Sequence, residues 1–424
     1  MPLDHLTNKQ EDLKRLSEQP FHECKLWNRD MQEKERHRWE DRKTFLGDME
    51  IHSDSPYAKF GGPMHERTQL EKAIHAKMPI GVASEMEKDM HAFEERARKQ
   101  RLEPEAVQKL YHQINRLFSE KSTTELTAGA KQQLAREILH QAAYPESVVQ
   151  GHHNTCNVAS VEFRLYTRAP QQAANVVADL ALHGQFQTKD GSPIALNKTS
   201  LAMDSEARNN PHDGTKRTYA SQLLQIGAVN VKWERDHNID GINYFYQQDK
   251  QHDERLMEYV DGKPPRNSDG TIAFQPKLSA RDLTDIYNQM AGTDDRRIAA
   301  ENVNGSRQKN VRLPESTDND VYLRSATELH NLLCEAKREH KLPLFLGVHT
   351  ANHPFDKQEL RVNPNLARTD ENFGWHAIAI YDYDERTHTA KIHNSWGKSN
   401  DINVNVDQLY RATLVPNEPA FTHE

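Results

Sequence analysis

Cys156 stands in "QGHHNTCNVAS", residues 150 to 160, a polar run leading into residues able to begin a helix. A cysteine there can serve as an apolar filler, a metal ligand or a nucleophile. The following segment, "CNVASVEFRLYTRAP", places Val158, Val161 and Leu165 at helical spacing, and Pro170 stops that helix. Asn154 or Thr155 can cap its start. Cys156 then lies in the first turn, where unpaired N–H groups and the helix dipole favour a thiolate. Cys334, by contrast, falls within the apolar pattern of a helix.

A thiolate that attacks a carbonyl needs a base, and the base needs a group that holds its tautomer. "WHAIAIYDYDERTHTAKIHNSWG", residues 375 to 397, reads as two alternating strands around a polar turn. With the pairing centred near Glu385, His376 and Asn394 are each nine residues from the centre and face one another. Directly opposed Cβ atoms lie roughly 4.5–5.5 Å apart, within reach of an amide-to-imidazole hydrogen bond. The other ring nitrogen is then left for a thiol from elsewhere in the chain. Taken by itself, His376 also fits the start of an ordinary strand.

Three fragments in order, "QGHHNTC", "HAIAIYDYD" and "NSWG", together resemble the papain-like cysteine peptidases, calpain-like and bacterial effector-type relatives included. The resemblance implies an α+β fold of two lobes, a helical one carrying Cys156 and a β-rich one carrying His376 and Asn394. It implies Cys156 as nucleophile, His376 as general base and acid, and Asn394 as its orienter. Gln150 becomes the side-chain oxyanion donor, working with the backbone N–H of Cys156, and Trp396 covers the Asn394–His376 bond. Fixed donors at a developing oxyanion typically contribute a few kcal/mol. The expected reaction is hydrolysis of a peptide bond in a protein or peptide substrate through a thioester, with no cofactor and no metal. The alternatives are transglutaminase-type acyl transfer or deamidation on glutamine, and an inactive papain-fold scaffold that only binds.

Some positions depart from the family pattern. Asn157 stands where the family has tryptophan, and His153 where secreted members carry a disulfide-bonded cysteine. His376 follows Cys156 by 220 residues, against roughly 130–150 in the papain group. The polar, turn-rich stretch around 248–320 reads as an insertion that accounts for the excess.

The elements that must position these residues fall into two parts. Residues 1–143 read as a charged helical domain, regulatory, propeptide-like or binding a protein partner. Its helices are expected at "EDLKRLSEQ", "RDMQEKERHRWEDRKTFLGDME", "EMEKDMHAFEERARKQRLE", Pro104 to Glu120 and "TAGAKQQLAREILHQAA". The interspersed Glu-Arg-Phe-Asn-Ile-Asn pattern of the family's propeptide is absent from it. Residues 144–424 read as the catalytic domain, with strands at "AVNVKW", "INYFY", "LPLFLGV", "HAIAIY" and "AKIHNSW". Helices are expected at "SQLLQIG", ending on its glycine, at "SARDLTDIYNQMAG", and at "SATELHNLLCEAKREHK", where Ser325 and Glu328 have capping-box spacing.

Bulk properties narrow the function classes. A net charge of −8 argues against a general nucleic-acid binder. No apolar run is long enough to span a membrane, and the first residues lack the core of a secretory signal. The expected location is the cytoplasm, or outside the cell through a dedicated non-Sec secretion system. Cys24, Cys156 and Cys334 are too few and too scattered for a disulfide framework. His152, His153, His349, His353, His376 and His393 lack the spacing of a zinc motif.

Overall fold

Four helices, α1 (His65–Lys77), α2 (Ile80–Gln100), α3 (Pro104–Ser119) and α4 (Ala128–Ala143), open the described part of the chain. The computed structural model describes residues 65–210, 214–235, 244–248, 254–258, 278–302, 321–356 and 374–415. The helices expected before residue 65 lie outside these residues. Local chemistry sets the starts: Pro104 needs no N–H partner in the first turn of α3, and the Thr127 side chain accepts the Ala130 N–H. Each helix buries an apolar face, for example Met86, Met90 and Phe93 of α2 and Leu110, Tyr111 and Ile114 of α3.

Residue 143 marks a change of composition and no gap in the core. The apolar faces of α1–α4 share one hydrophobic cluster with α5 (Cys156–Arg168), α6 (Pro170–His183) and α9 (Tyr219–Trp233). Between α6 and α9 lie a two-stranded ribbon, β1 (Gln185–Gln187) with β2 (Pro193–Ala195), and two short helices, α7 (Lys198–Leu201) and α8 (Ser205–Arg208). All described residues belong to one unit, Ser55–Glu424.

Helix α9 corrects two expectations. It does not end at Gly227, and "AVNVKW" is its second half rather than a strand. Every residue of α9 except Lys232 is buried, so no polar face marks the helical period. A Cβ on Gly227 would come 3.0 Å from Leu180 Cδ1, so the missing side chain is what lets α9 approach α6.

After a hairpin of β3 (Tyr244–Gln248) and β4 (Glu254–Glu258), α10 (Ala280–Ala291) starts in a Ser279–Asp282 capping box and stops at Gly292. The remaining strands are β5 (Ala299–Asn302), β6 (Val321–Leu323), β7 (Leu344–His349), β8 (Trp375–Asp384), β9 (Thr389–His393) and β10 (Ile402–Asn405). They form one mixed sheet in the order β10-β9-β8-β7-β5-β6, with β5 parallel to both of its neighbours. Thus β5, within the stretch expected to be an insertion, is an interior strand of the sheet. Residues 249–253, 259–277 and 303–320 of that stretch lie outside the described residues.

The fold class is α+β. On one side of the sheet Leu344, Leu346, Val348, Ile378 and Ile380 pack with α11 (Ala326–Arg338) and α12 (Val406–Ala412) in a second cluster. Phe345 and Ala299, at alternate positions, join the first cluster instead. Helix α5 lies across β8 and β9, where Phe163 stacks on His393 and meets Tyr381 edge-on. Ser325 caps α11 by accepting the Glu328 N–H, while Glu328 reaches back to Arg324 N–H rather than to Ser325. Among the described residues no helix is long and apolar enough to cross a membrane.

Candidate active site

The hairpin at residues 375–397 forms, in a register other than the expected one. Ala379 pairs with His393, so the position after His393 continues toward Ile378 and not toward His376. β9 ends at His393, and the chain turns to carry Asn394 diagonally onto His376, whose Nε2 lies 2.9 Å from Asn394 Oδ1. The same oxygen accepts the backbone N–H of Trp396 at 3.2 Å. A backbone N–H only donates, so the atom between them is the amide oxygen, and Nε2 of His376 must carry the ring proton. Nδ1 is therefore the basic nitrogen.

The indole of Trp396 lies over the imidazole, with ring centroids 4.2 Å apart and planes inclined by 28°. His376 is 4% exposed. Burial pushes its pKa down to about 4, against the bond to Asn394 and with help from neighbouring His393. The ring is neutral at neutral pH and so able to accept a proton. Asp401 anchors the turn, accepting Asn394 N–H at 2.8 Å and facing His393 Nδ1 at 3.1 Å.

Cys156 is the first residue of α5, half-buried and outside any disulfide. Thr155 occupies the N-cap position, but its hydroxyl donates to Gln225 Oε1 at 2.7 Å and does not cap the helix. Asn157 Oδ1 accepts Val158 N–H at 2.9 Å, so the Asn157 side chain serves the helix start. Four residues on from Cys156, Ser160 Oγ lies 3.0 Å from the Cys156 carbonyl and 3.3 Å from the carbonyl of Ala377. Ala377 is the neighbour of His376, so Ser160 holds the start of α5 against the strand that carries His376.

Gln150 reaches the same place from the other direction. Its N–H donates to the Ser395 carbonyl, Ser395 Oγ donates to its Oε1, and its Nε2 donates to the His153 carbonyl at 2.8 Å. An amide nitrogen carries two hydrogens, so one remains beyond the bond to His153. Gly151 follows with φ 65°, and a Cβ there would fall 2.2 Å from Glu206 Oε2. That carboxylate accepts the N–H groups of His152 and Arg217, which fixes the loop beside a position only glycine fits.

Comparison with protein-family models, with curated proteins and with solved structures found no match.

Two further groups bear on the chemistry. Among the described residues, His153, Asp204 and Glu254 are close enough together to hold a cation. The guanidinium of buried Arg217 already bridges both carboxylates, and with His153 it holds Asp204 below the usual carboxylate range despite burial. A second cation there would sit against Arg217 in a buried site, where like charges repel strongly. Of the six histidines considered for zinc, His153 alone belongs to such a group among the described residues. In α11, Cys334 lies 3.5 Å from His330 Nε2, but desolvation pushes its thiol up, the reverse of what a nucleophile needs. Cys24 lies outside the described residues.

Sequence reasoning passed over Ser395, Asp401 and Gln225. Ser395 sits inside "NSWG" and was within reach of a reading of that run. Gln225 gave only a faint signal, the one polar residue within "LLQIGAV", residues 223 to 229.

Proposed function

We propose that the chain is a papain-like cysteine peptidase that hydrolyses peptide bonds through Cys156, His376, Asn394 and Gln150. His376 Nδ1 takes the Cys156 thiol proton, and the thiolate attacks the substrate's carbonyl carbon. The resulting oxyanion is met by the Gln150 side-chain amide and the backbone N–H of Cys156. Collapse breaks the C–N bond, the leaving amine takes the proton from His376, and a thioester remains on Cys156. Water gives a proton to His376, attacks the thioester, and releases the acid and the thiol. Asn394 keeps the proton on Nε2 throughout, so Nδ1 alone exchanges protons with thiol, amine and water. The two hydrophobic clusters, one containing α5 and the other centred on the sheet, support a two-lobe reading of the fold.

The observation that carries this reading is the bond from His376 Nε2 to an amide oxygen identified by a second donor, Trp396 N–H, beneath the Trp396 ring. The test is product analysis by mass spectrometry after incubating a proteome with the wild type and with Cys156→Ala. New N-termini made by the wild type alone are expected. A one-dalton gain on glutamine, or a cross-link, would move the reading to deamidation or acyl transfer. Identical product sets for the two proteins would overturn the assignment.

A further inference from the structure

We infer that Gln225 is a positioning residue for the oxyanion-binding loop, holding both ends of Val149–Thr155 to the helix that carries the nucleophile. The inference rests on Cys156 as nucleophile and Gln150 as oxyanion donor. Gln225 lies on α9 and is fully buried, as are Thr155 and Glu162. Its Nε2 donates to the Val149 carbonyl at 3.1 Å and to Glu162 Oε2 at 2.8 Å. Its Oε1 accepts from Thr155 Oγ1 at 2.7 Å. Both amide hydrogens and the amide oxygen are thus committed, and flipping the amide would set its oxygen against the Val149 carbonyl, which can only accept.

The three partners are not scattered. Val149 precedes Gln150, Thr155 precedes Cys156, and Glu162 belongs to α5, the helix that Cys156 begins. Glu162 is held in turn by Ser221 Oγ at 2.7 Å, one turn before Gln225 on α9. A single side chain therefore sets the spacing between the two groups proposed to meet the oxyanion. Donors must lie about 2.7–3.1 Å from the charged oxygen, and a displacement of about 1 Å can cost on the order of 100-fold in rate. A polar residue that merely filled the core would hold neither end of this loop. Loosening Gln225 should slow turnover and leave ground-state binding alone.

Gln225→Ala would empty a buried volume and disturb the fold for unrelated reasons, so the test uses Thr155. Thr155→Val keeps the shape and removes the hydroxyl, while Thr155→Ser restores it. In the full chain we expect Thr155→Val to lower kcat about 10- to 100-fold with KM within about threefold. Thr155→Ser should stay within about threefold of wild type in both. Amide hydrogen exchange across 149–156, read by mass spectrometry, should quicken in the valine variant only. Unchanged kcat in Thr155→Val, a loss carried by KM, unchanged exchange, or a serine variant as impaired as the valine one would each overturn the inference. If the wild type itself cleaves nothing, the peptidase reading has failed on its own. Exchange then decides the loop tie independently, faster exchange in Thr155→Val alone supporting it and equal rates ending it.

Discussion

Gln150 and Ser395, 245 residues apart, hold one another through two hydrogen bonds, backbone to backbone and Ser395 Oγ to Gln150 Oε1, each 2.9 Å long. The pair joins the loop before Cys156 to the turn that carries Asn394. Ser395→Ala keeps the backbone bond and frees the Gln150 side chain to turn. Turnover should fall about tenfold, and the loss should vanish in a Gln150→Ala background, where the amide is already gone. Equal losses in both backgrounds, measured as kcat, would show that Ser395 acts elsewhere.

With Gln150 as the proposed oxyanion donor, Gln150→Ala should lower turnover roughly 10²–10³-fold, since that charge develops only after attack. Alkylation of Cys156 by iodoacetamide forms no oxyanion, so its rate should stay within a few-fold of wild type. If both rates drop together, Gln150 shapes the loop and donates nothing to the intermediate.

Cys156→Ala should abolish cleavage while changing unfolding free energy by about 1 kcal/mol or less, since the thiol is half-buried at a helix start. Residual activity within about tenfold of wild type would remove Cys156 from its role.

Asn394→Ala should slow turnover less than His376→Ala does, because it loosens the base without deleting it. The double variant should be no slower than His376→Ala alone, as residues acting as one unit are not additive. Losses that multiply would separate the two.

The pH dependence of stability has a definite sign for two buried groups. His376 titrates near 6.5 when unfolded and near 4 when folded, so the unfolded state binds the extra proton between these values. Stability is lost as pH falls through that window, and His376→Gln should flatten the slope by up to about 1.4 kcal/mol per pH unit. Burial raises Glu162 from 4.5 to about 7 against its bonds from Gln225 and Ser221. Its contribution is present below 4.5 and lost as pH rises through 7, and Glu162→Gln should remove that loss. Urea midpoints from pH 4 to 8 test both, and a variant with the wild-type slope refutes its assignment.

Elements whose signals were local could be read from the sequence alone. The helix expected to start at Cys156 and stop before Pro170 is α5, Cys156–Arg168, and the serine starts of α10 and α11 are where the side-chain pattern puts them. The contact between His376 and Asn394 was anticipated by a register that does not occur. The turn after His393 makes up the difference, and no residue type in the run announces it. "AVNVKW" misled because a helix buried on all sides has no polar face to mark its period. β5, "AAEN", is too short to alternate visibly and gains its strand character from β6 and β7 on either side. Gln225 was hidden for a related reason: its role lies in partners 63 to 76 residues away along the chain.

The assembly of the site from distant segments bears on how the protein is made. Chains emerge from the ribosome N-terminus first, and domains generally fold as they appear. Cys156 and its helix are synthesised 220 residues before His376. During that interval the Cys156 thiol lacks His376, and the loop has no Ser395 to grip. On the proposed reading, the closing of the β8–β9 hairpin is the step that completes the site, and it comes late in synthesis.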